Sequence, residues 1–380
     1  MVVNRKYCFA LLLLIACGNS LFAQRKDFIR RTLDWGYNIV QGDSAKPHKK
    51  YLLVIPLFSY RPETRWNIGV STSFIFRSKN NDSLTRPSAI RVNMAYTQNN
   101  QYSVRPQVEY FSRTNKINIR GQYLFTDFTE YFWGVGNKMP LEARELYSFR
   151  LHRLNIRAGY LLATSLYAGL QYHFEQMYSI DAPMAGILRS GNFKGAGGYL
   201  ASGIGPTIYY DSRDNIFFPF KGSFVELSTC FYHPAMGSNY EFTSLALDAR
   251  KYIRLWNENV LAMQLIWQTT EGIVPFRMLP AVGNENFMRG YYNGRFRDKN
   301  LMATQAEFRK TVWGPVSVTA FGGFGGVSAN ARDIFNRQQL NLGLGVRMKA
   351  IPRERMNMRL DMGWMGDGSR AIYITMNEAF

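Results

Sequence analysis

Hydrophobic and polar residues alternate with a period of two along most of the chain after Tyr51. Strict alternation places one set of side chains on each face of a β-sheet, because successive residues of a strand point in opposite directions. The polar positions hold mainly Arg, Asn, Gln and Gly, which suits a wet surface better than a packed core. In the clearest segments the apolar set is Leu340, Leu342, Leu344, Val346 and Met348, then Met356, Met358, Leu360, Met362 and Trp364.

These segments predict an all-β fold, and their length of about 9 to 11 residues is that of a strand crossing a bilayer at a tilt. An apolar face against lipid and a polar face inside are typical of a transmembrane antiparallel β-barrel. Counting the alternating segments gives about 16 strands, an even number as in bacterial barrels. A closed barrel also leaves no unpaired edge in hydrocarbon. The predicted strands are 52–60, 65–77, 89–99, 102–112, 116–126, 147–160, 164–177, 198–210, 221–232, 240–252, 259–270, 301–311, 315–326, 338–350, 354–365 and 370–380.

Long connections are predicted at 127–146, 178–197 and 271–300. The last contains the stretch 283–297, which is too rich in Gly, Asn and Arg to form a strand. An arginine-bearing loop between two alternating segments indicates an inner loop, and we expect residues 275–300 to fold into the barrel.

The first residues have the pattern of a secretion signal. Arg5 and Lys6 precede an apolar run, and small residues lead to a cleavage site after Ala23. The predicted organisation is a signal peptide at 1–23, a short N-terminal periplasmic arm at 24–50 and an outer-membrane β-barrel at 51–380. An alternative remains open, because residues 14–17 also fit a lipoprotein cleavage box with Cys17 lipidated.

The composition limits which binding partners and which cysteine chemistry are expected. The formal charge is +19, and Phe and Tyr number 27 and 23, which suits aromatic girdles beside lipid headgroups. We expect outer-membrane lipid as a neighbour and no nucleic acid, because an exported chain rarely meets any; a basic lumen with small counter-ions is the alternative. Beyond the signal region only Cys230 remains, so neither a disulfide scaffold nor a CxxC metal site is expected.

No cofactor and no enzymatic activity are expected. The four histidines are scattered along the chain, and neither HExxH nor GxSxG occurs.

The hairpin motif is Asp211, Arg213, Asp214, Asn215, Pro219 and Gly222, and the inner-loop motif is Phe287, Met288, Arg289, Gly290 and Tyr291. A third segment contains Tyr373 and ends at Phe380. In this order along the chain, the motifs resemble those of the BamA/TamA superfamily of bacterial surface-antigen barrels, and the third segment is similar to the family's last strand and assembly signal.

The resemblance implies that the loop folds inward and that Arg289 contacts lumen carboxylates, the first of them Glu307. The family's second acid is expected where Gly323 stands, so the two-carboxylate arrangement is incomplete in the sequence. By alternation Gly323 and Gly325 face the lumen, and we interpret them as part of a bare wall against which the loop packs. The alternative is that these glycines only relieve barrel curvature.

The resemblance also implies a function, the insertion or translocation of protein (or lipid) at the outer membrane. In that hypothesis the first and last strands meet at a seam that can open. Client proteins and a periplasmic partner are then expected, because 24–50 is too short to supply the family's periplasmic POTRA domains. A passive, anion-leaning pore or structural barrel is the alternative, and an embedded lipid-modifying enzyme is a third. The pore would use the basic residues Arg120, Arg250, Arg347, Lys349 and Arg359.

Overall fold

The computed structural model describes residues 50–61, 65–77, 85–366 and 368–380. The predicted signal peptide and the arm, apart from Lys50, lie outside these residues. Within the described parts of the chain, no helix has both the length and the apolar character needed to cross a membrane.

Sixteen strands form a single antiparallel sheet in which each strand pairs with the next along the chain. The prediction of an all-β barrel of about sixteen strands is confirmed. The strands are β1 (Tyr51–Arg61), β2 (Arg65–Phe76), β3 (Ser88–Thr97), β4 (Tyr102–Phe111), β5 (Ile117–Phe132), β6 (Glu145–Ala163), β7 (Leu166–Asp181), β8 (Tyr199–Asp211), β9 (Gly222–Tyr232), β10 (Phe242–Arg254), β11 (Val260–Gly272), β12 (Asn300–Trp313), β13 (Val316–Ser328), β14 (Gln339–Ile351), β15 (Met356–Met365) and β16 (Arg370–Met376). A short α-helix, α1 (Ile187–Ser190), follows β7, and single 3-10 turns lie in several of the later connections.

Burial in the barrel is inverted relative to a soluble protein. Leu340, Leu342 and Leu344 of β14 are 58–68% exposed, whereas Asn341 and Arg347 of the same strand are at most 2% exposed. Apolar side chains therefore cover the outside, and the polar set fills the lumen, as the alternation predicts.

Strands β5, β6 and β7 extend into the segments predicted as the loops 127–146 and 178–197. β5 continues to Phe132, β6 begins at Glu145, and β7 ends at Asp181. The extra residues carry acids, which is why 127–146 reads as a loop. In the structure Asp127 accepts a hydrogen bond from Arg150 at 2.7 Å, and the added ends bury aromatic rings in a shared cluster. Its rings include Phe132, Tyr147, Phe149 and Phe276.

The last strand is shorter than predicted. β16 ends at Met376, and Asn377 has a φ of 66°, a left-handed conformation that turns the chain out of the sheet. Asn tolerates this conformation better than most residues. The prediction of a strand across 370–380 is therefore wrong from Asn377 onward.

The two ends of the sheet meet at an incompletely paired seam. The strand order runs from β1 to β16, and no backbone pairing joins these two strands among their described residues. β16 has 7 residues, whereas each of the other strands has at least 10. We call the barrel end that carries the start of β1 and the end of β16 the near end, and the opposite one the far end.

The seam predicts uneven protection from hydrogen exchange. The amide groups of β16 are expected to exchange at least about tenfold faster than those of β13, because short edge elements open at lower free energy than central strands. Exchange measured by mass spectrometry on the barrel in detergent micelles tests this. Equal protection of β16 and β13 would mean that β1 and β16 close the sheet.

Candidate functional site

The inner loop, residues 273–299 between β11 and β12, enters the lumen from the far end. Its apolar side chains are buried against the inner face of β11 to β13, which places the central part of the loop inside the barrel. The loop side chains are Val282, Phe287, Met288, Tyr291 and Phe296, and the wall side chains include Ile266, Leu301, Ala303 and Val327.

Gly290 allows the loop to approach the wall closely. Its φ is 115°, a conformation that L side chains rarely adopt, and an added Cβ would lie 3.1 Å from Met365 Cγ. The facing residue is Gly363 on β15, where an added Cβ would lie 2.5 Å from the carbonyl oxygen of Arg289. The two glycines therefore let two backbones touch.

Arg289 is held by two carboxylates in a fully buried site. Its Nη2 donates to Glu307 Oε2 at 2.5 Å, and its Nη1 donates to Asp361 Oδ2 at 2.5 Å. All three side chains are 0% exposed. The guanidinium also lies over the Phe321 ring, 3.5 Å from its centroid, in a cation–π contact.

Asp361 supplies the second acid that the sequence lacks at Gly323. It lies on β15, two strands from the expected position on β13. Gly345 on the neighbouring strand leaves room for it, because a Cβ there would fall 2.0 Å from Asp361 Oδ1. The alternation already places Asp361 on the lumen face, and this signal could have identified it.

The predicted glycine contacts differ from those in the structure. The atoms nearest to a Cβ on Gly323 and Gly325 belong to β12 and β14, not to the loop. Gly323 lies beside Asn341, whose Nδ2 donates to the carbonyl oxygen of Arg289 at 2.9 Å. Gly323 thus meets the loop through neighbouring side chains, Asn341 and also Gln305, whose Nε2 donates to the carbonyl oxygen of Asn286 at 2.9 Å, and the direct glycine contact comes from Gly363.

The two carboxylates belong to a closed ring of alternating charges, which we call the charge ring. The side chain of every member is at most 2% exposed. Glu307 accepts from Arg309 at 2.7 Å, Arg309 lies 3.7 Å from Glu378, and Arg347 donates to Glu378 at 2.7 Å and to Asp361 at 2.5 Å. In order around the ring the members are Arg289, Glu307, Arg309, Glu378, Arg347 and Asp361.

The arginines of the charge ring lower the pKa of Glu378. Burial alone would raise the pKa of Glu378, but the guanidinium groups of Arg347 and Arg309 hold that pKa below its ordinary value. A fourth cation, Arg359, lies beside the ring at 3.5 Å from Asp361 and donates to Thr375 at 2.8 Å. The charged cluster therefore links the inner loop to β12, β14, β15 and β16.

The hairpin motif forms a second loop, residues 212–221, at the near end. Asp211 accepts from Arg86 at 2.6 Å and from Arg213 at 2.9 Å. Asp214 accepts from the backbone N–H groups of Phe220 and Lys221 and pairs with Arg355 at 2.6 Å. These contacts join the hairpin loop to the β2–β3 and β14–β15 connections.

The Asn215 side chain fixes the loop backbone so that two neighbouring aromatic rings point in different directions. Its side-chain oxygen accepts from the N–H groups of Phe217 at 2.8 Å and of Phe218 at 2.9 Å. Phe217 packs in one cluster with Ile75, Ala89, Ile351 and Met356, and Phe218 packs in another with Tyr252, Val260, Ala262, Ala379 and Phe380. The hairpin loop, with Pro219 buried, therefore crosses the near mouth of the barrel.

Gly222 begins β9 with a φ of 110°, and an added Cβ would lie 2.3 Å from the carbonyl oxygen of Ser212. A larger residue would therefore disrupt the hairpin.

Tyr373 and Phe380 both point into the lumen, but only Tyr373 lies on β16. The Tyr373 hydroxyl accepts from the Gly290 N–H at 3.1 Å, so the last strand contacts the inner loop directly. Phe380 lies beyond β16, and its carbonyl oxygen accepts from Arg309 at 3.0 Å. The prediction that Phe380 lies on the closing strand is corrected accordingly.

The sixteen-stranded sheet, the inward loop and the buried arginine define an outer-membrane barrel of the surface-antigen type. The chain belongs to the Omp85 superfamily, whose domain model matches residues 58–380. The resemblance seen in the sequence motifs is thereby confirmed.

Solved structures share the fold. The chain is similar to BamA from Haemophilus ducreyi lacking POTRA domains 1–3, with a TM-score of 0.54 and 12% identity over 87% of this chain and 70% of that one. It is also similar to CdiB from Escherichia coli (TM-score 0.55, 10% identity, 87% and 63% covered) and CdiB from Acinetobacter baumannii (0.53, 11%, 87% and 59%). Such identities show the fold alone. No curated protein matches the chain.

Removing one acid from the charge ring tests how much the ring contributes to the free energy of unfolding. Glu307→Gln is expected to lower the free energy of unfolding by about 3–5 kcal/mol, because it leaves the buried guanidinium groups of Arg289, Arg309 and Arg347 with one carboxylate fewer. Urea unfolding of the barrel in micelles measures the change.

The control for Glu307→Gln is Glu285→Gln in the inner loop. Glu285 is 42% exposed and lies 3.6 Å from Arg105, so its loss should cost at most about 1 kcal/mol. Equal effects of the two substitutions would contradict a structural role for the buried ring.

Proposed function

We propose that the chain resides in the bacterial outer membrane and assists the insertion or translocation of protein there. The observation that carries the proposal is the arrangement around the seam: Arg289 of the inner loop is bound to β12 and β15, beside an incompletely paired β16. Membership of the Omp85 superfamily and the fold likeness to BamA and CdiB support it. Family likeness alone does not establish an activity, so the site must carry the argument.

The seam offers unpaired backbone groups that a client can use. In hydrocarbon each unsatisfied N–H or C=O costs several kcal/mol, so an edge strand there favours a partner strand. A client chain that adds to β1 or β16 would satisfy those groups while it enters the membrane. The charge ring joins the inner loop to β12, β14 and β15, so it braces the wall next to the seam.

Clients and a periplasmic partner are part of the proposal. With the near end facing the periplasm, the hairpin loop 212–221 covers the mouth from which an exported client would arrive. A client would therefore approach the seam rather than the lumen, brought there by a periplasmic partner. Lipid covers the apolar outer surface.

The ion pairs of the lumen argue against a passive anion-selective pore. Arg347 and Arg359 are 1–2% exposed and belong to the buried charged cluster. Arg120 lies 3.3 Å from both Glu109 and Glu226, and Arg250 lies 2.5 Å from Asp248. Four of the five basic residues expected to select anions thus already have carboxylate partners.

An insertion assay tests the proposal. Vesicles containing the purified barrel are expected to accelerate the folding of an added unfolded outer-membrane barrel, followed by protease protection. Arg289→Gln should reduce the acceleration at least severalfold, because the wall beside the seam loses its inner support, whereas Glu285→Gln should not. Absence of acceleration by the unchanged barrel, together with unchanged levels of other outer-membrane and secreted proteins after depletion in cells, would refute the proposal.

A conductance measurement distinguishes the proposed insertion function from the passive-pore alternative. In planar bilayers the unchanged barrel is expected to show no large steady current, because the inner loop and the hairpin loop occupy opposite ends of its lumen. A steady, anion-selective current that Arg289→Gln leaves unaltered would favour the pore instead.

A further inference from the structure

The segment Asn377–Phe380, which follows β16, lies inside the barrel. Asn377 turns the chain inward, and its N–H donates to the carbonyl oxygen of Asn357 at 2.8 Å. Glu378 and Phe380 are 9% and 4% exposed. The segment is thus bound within the near end of the lumen, directly after the strand that borders the seam.

Glu378 contributes one of the three acids in the charge ring. Its Oε2 accepts from Arg347 Nε at 2.7 Å, and its Oε1 accepts from Asn357 Nδ2 at 2.9 Å. In the described contacts Glu378 does not touch Arg289. It is connected to Arg289 along both halves of the ring, through Arg309 and Glu307 on one side and through Arg347 and Asp361 on the other.

Withdrawal of Glu378 would leave Arg309 and Arg347 with fewer counter-charges. Both already contact the acids that bind Arg289, because Arg309 lies 2.7 Å and Arg347 3.5 Å from Glu307, and Arg347 also lies 2.5 Å from Asp361. In a site shielded from water, two guanidinium groups that lose one carboxylate interact more strongly with the carboxylates that remain, here Glu307 and Asp361. Arg289 would then hold Glu307 and Asp361 less firmly.

A second contact set holds the segment in place. The Phe380 ring packs with Phe218 of the hairpin loop and with Tyr252 and Val260 of the wall. The Phe380 carbonyl oxygen accepts from Arg309, the same residue that binds Glu307. The position of the segment therefore determines where Arg309 points, and Arg309 in turn helps to orient Glu307.

We propose that the 377–380 segment is an internal ligand of the lumen, and that it couples the seam strand β16 to the inner loop through the charge ring. When the segment leaves its site, the inner loop is released more readily, and release of the loop in turn weakens the binding of the segment. This reciprocity is required of any two binding events that share a coupling free energy. The coupling exists whether or not the barrel inserts proteins.

The test uses a buried reporter thiol at each end of the coupling. In the full chain with its three native cysteines replaced by serine, Met288→Cys is the loop reporter, which detects opening of the inner loop. Ala379→Cys is the segment reporter, which detects release of the segment. Met288 and Ala379 are 0% and 6% exposed, so a maleimide reaches the reporters only after opening. Retention of the barrel is checked by its heat-dependent mobility on gels.

Glu378→Gln is expected to raise the labelling rate of the loop reporter by about tenfold, within the range usual for coupled sites. Arg289→Gln is expected to raise labelling of the segment reporter by a similar factor. Glu354→Gln and Arg153→Gln are the matched controls, because Glu354 pairs with Arg77 and Arg153 pairs with Glu175, outside both the ring and the inner loop. Each control should leave the distant reporter within about twofold of its starting rate.

Two results would overturn the proposal: a folded Glu378→Gln barrel with unchanged labelling of the loop reporter, or a Glu354→Gln barrel that labels as fast as Glu378→Gln. If Glu378→Gln does not fold, Glu378→Asp replaces it, since it keeps the charge and shortens the reach by one methylene. Hydrogen exchange of residues 284–291 then provides a measurement free of reporter thiols. Faster exchange in Glu378→Asp than in Glu354→Asp supports the coupling, and equal exchange refutes it.

Discussion

The structure depends on how it satisfies charges that are buried inside a membrane barrel. An isolated guanidinium or carboxylate in a dry lumen is strongly unfavourable, and attraction between a single buried pair often fails to offset the loss of water. In the charge ring each acid instead contacts two or more arginines and each arginine two or more acids, so the hydrogen-bonding capacity of the groups is widely used. Such a network is highly directional, because every member orients its neighbours.

This network also determines which part of the barrel is rigid. Its members come from β12, β14 and β15, from the inner loop and from the residues after β16, so they join the last third of the sheet into one unit. On the other side of the seam, β1 pairs only with β2 among the described residues. The wall on the β16 side of the seam is therefore braced by the charge ring, whereas the wall on the β1 side begins with an ordinary β1–β2 hairpin.

Much of the fold could be predicted from the sequence because a period of two is a strong signal over long strands. The strand number, the inward loop and the meeting of Arg289 with Glu307 all follow from that period or from a motif. Asp361 escapes prediction although it faces the lumen, because the family pattern directs attention to β13. The acids at the ends of β5 and β6 suggest a loop when their partners, such as Arg277 for Glu130, are far away in sequence. The inward turn at Asn377 depends on one backbone angle, which alternation does not reveal.

The two phenylalanines of the hairpin loop have a consequence for the width of the barrel. Phe217 and Phe218 are adjacent in sequence, yet they insert into walls on different sides of the near mouth. Any dilation of that opening must withdraw at least one ring into water, at about 1.5–3 kcal/mol for a side chain of this size. The diameter at this end is therefore fixed from within, and the bore can widen there only after the hairpin loop has detached from one side.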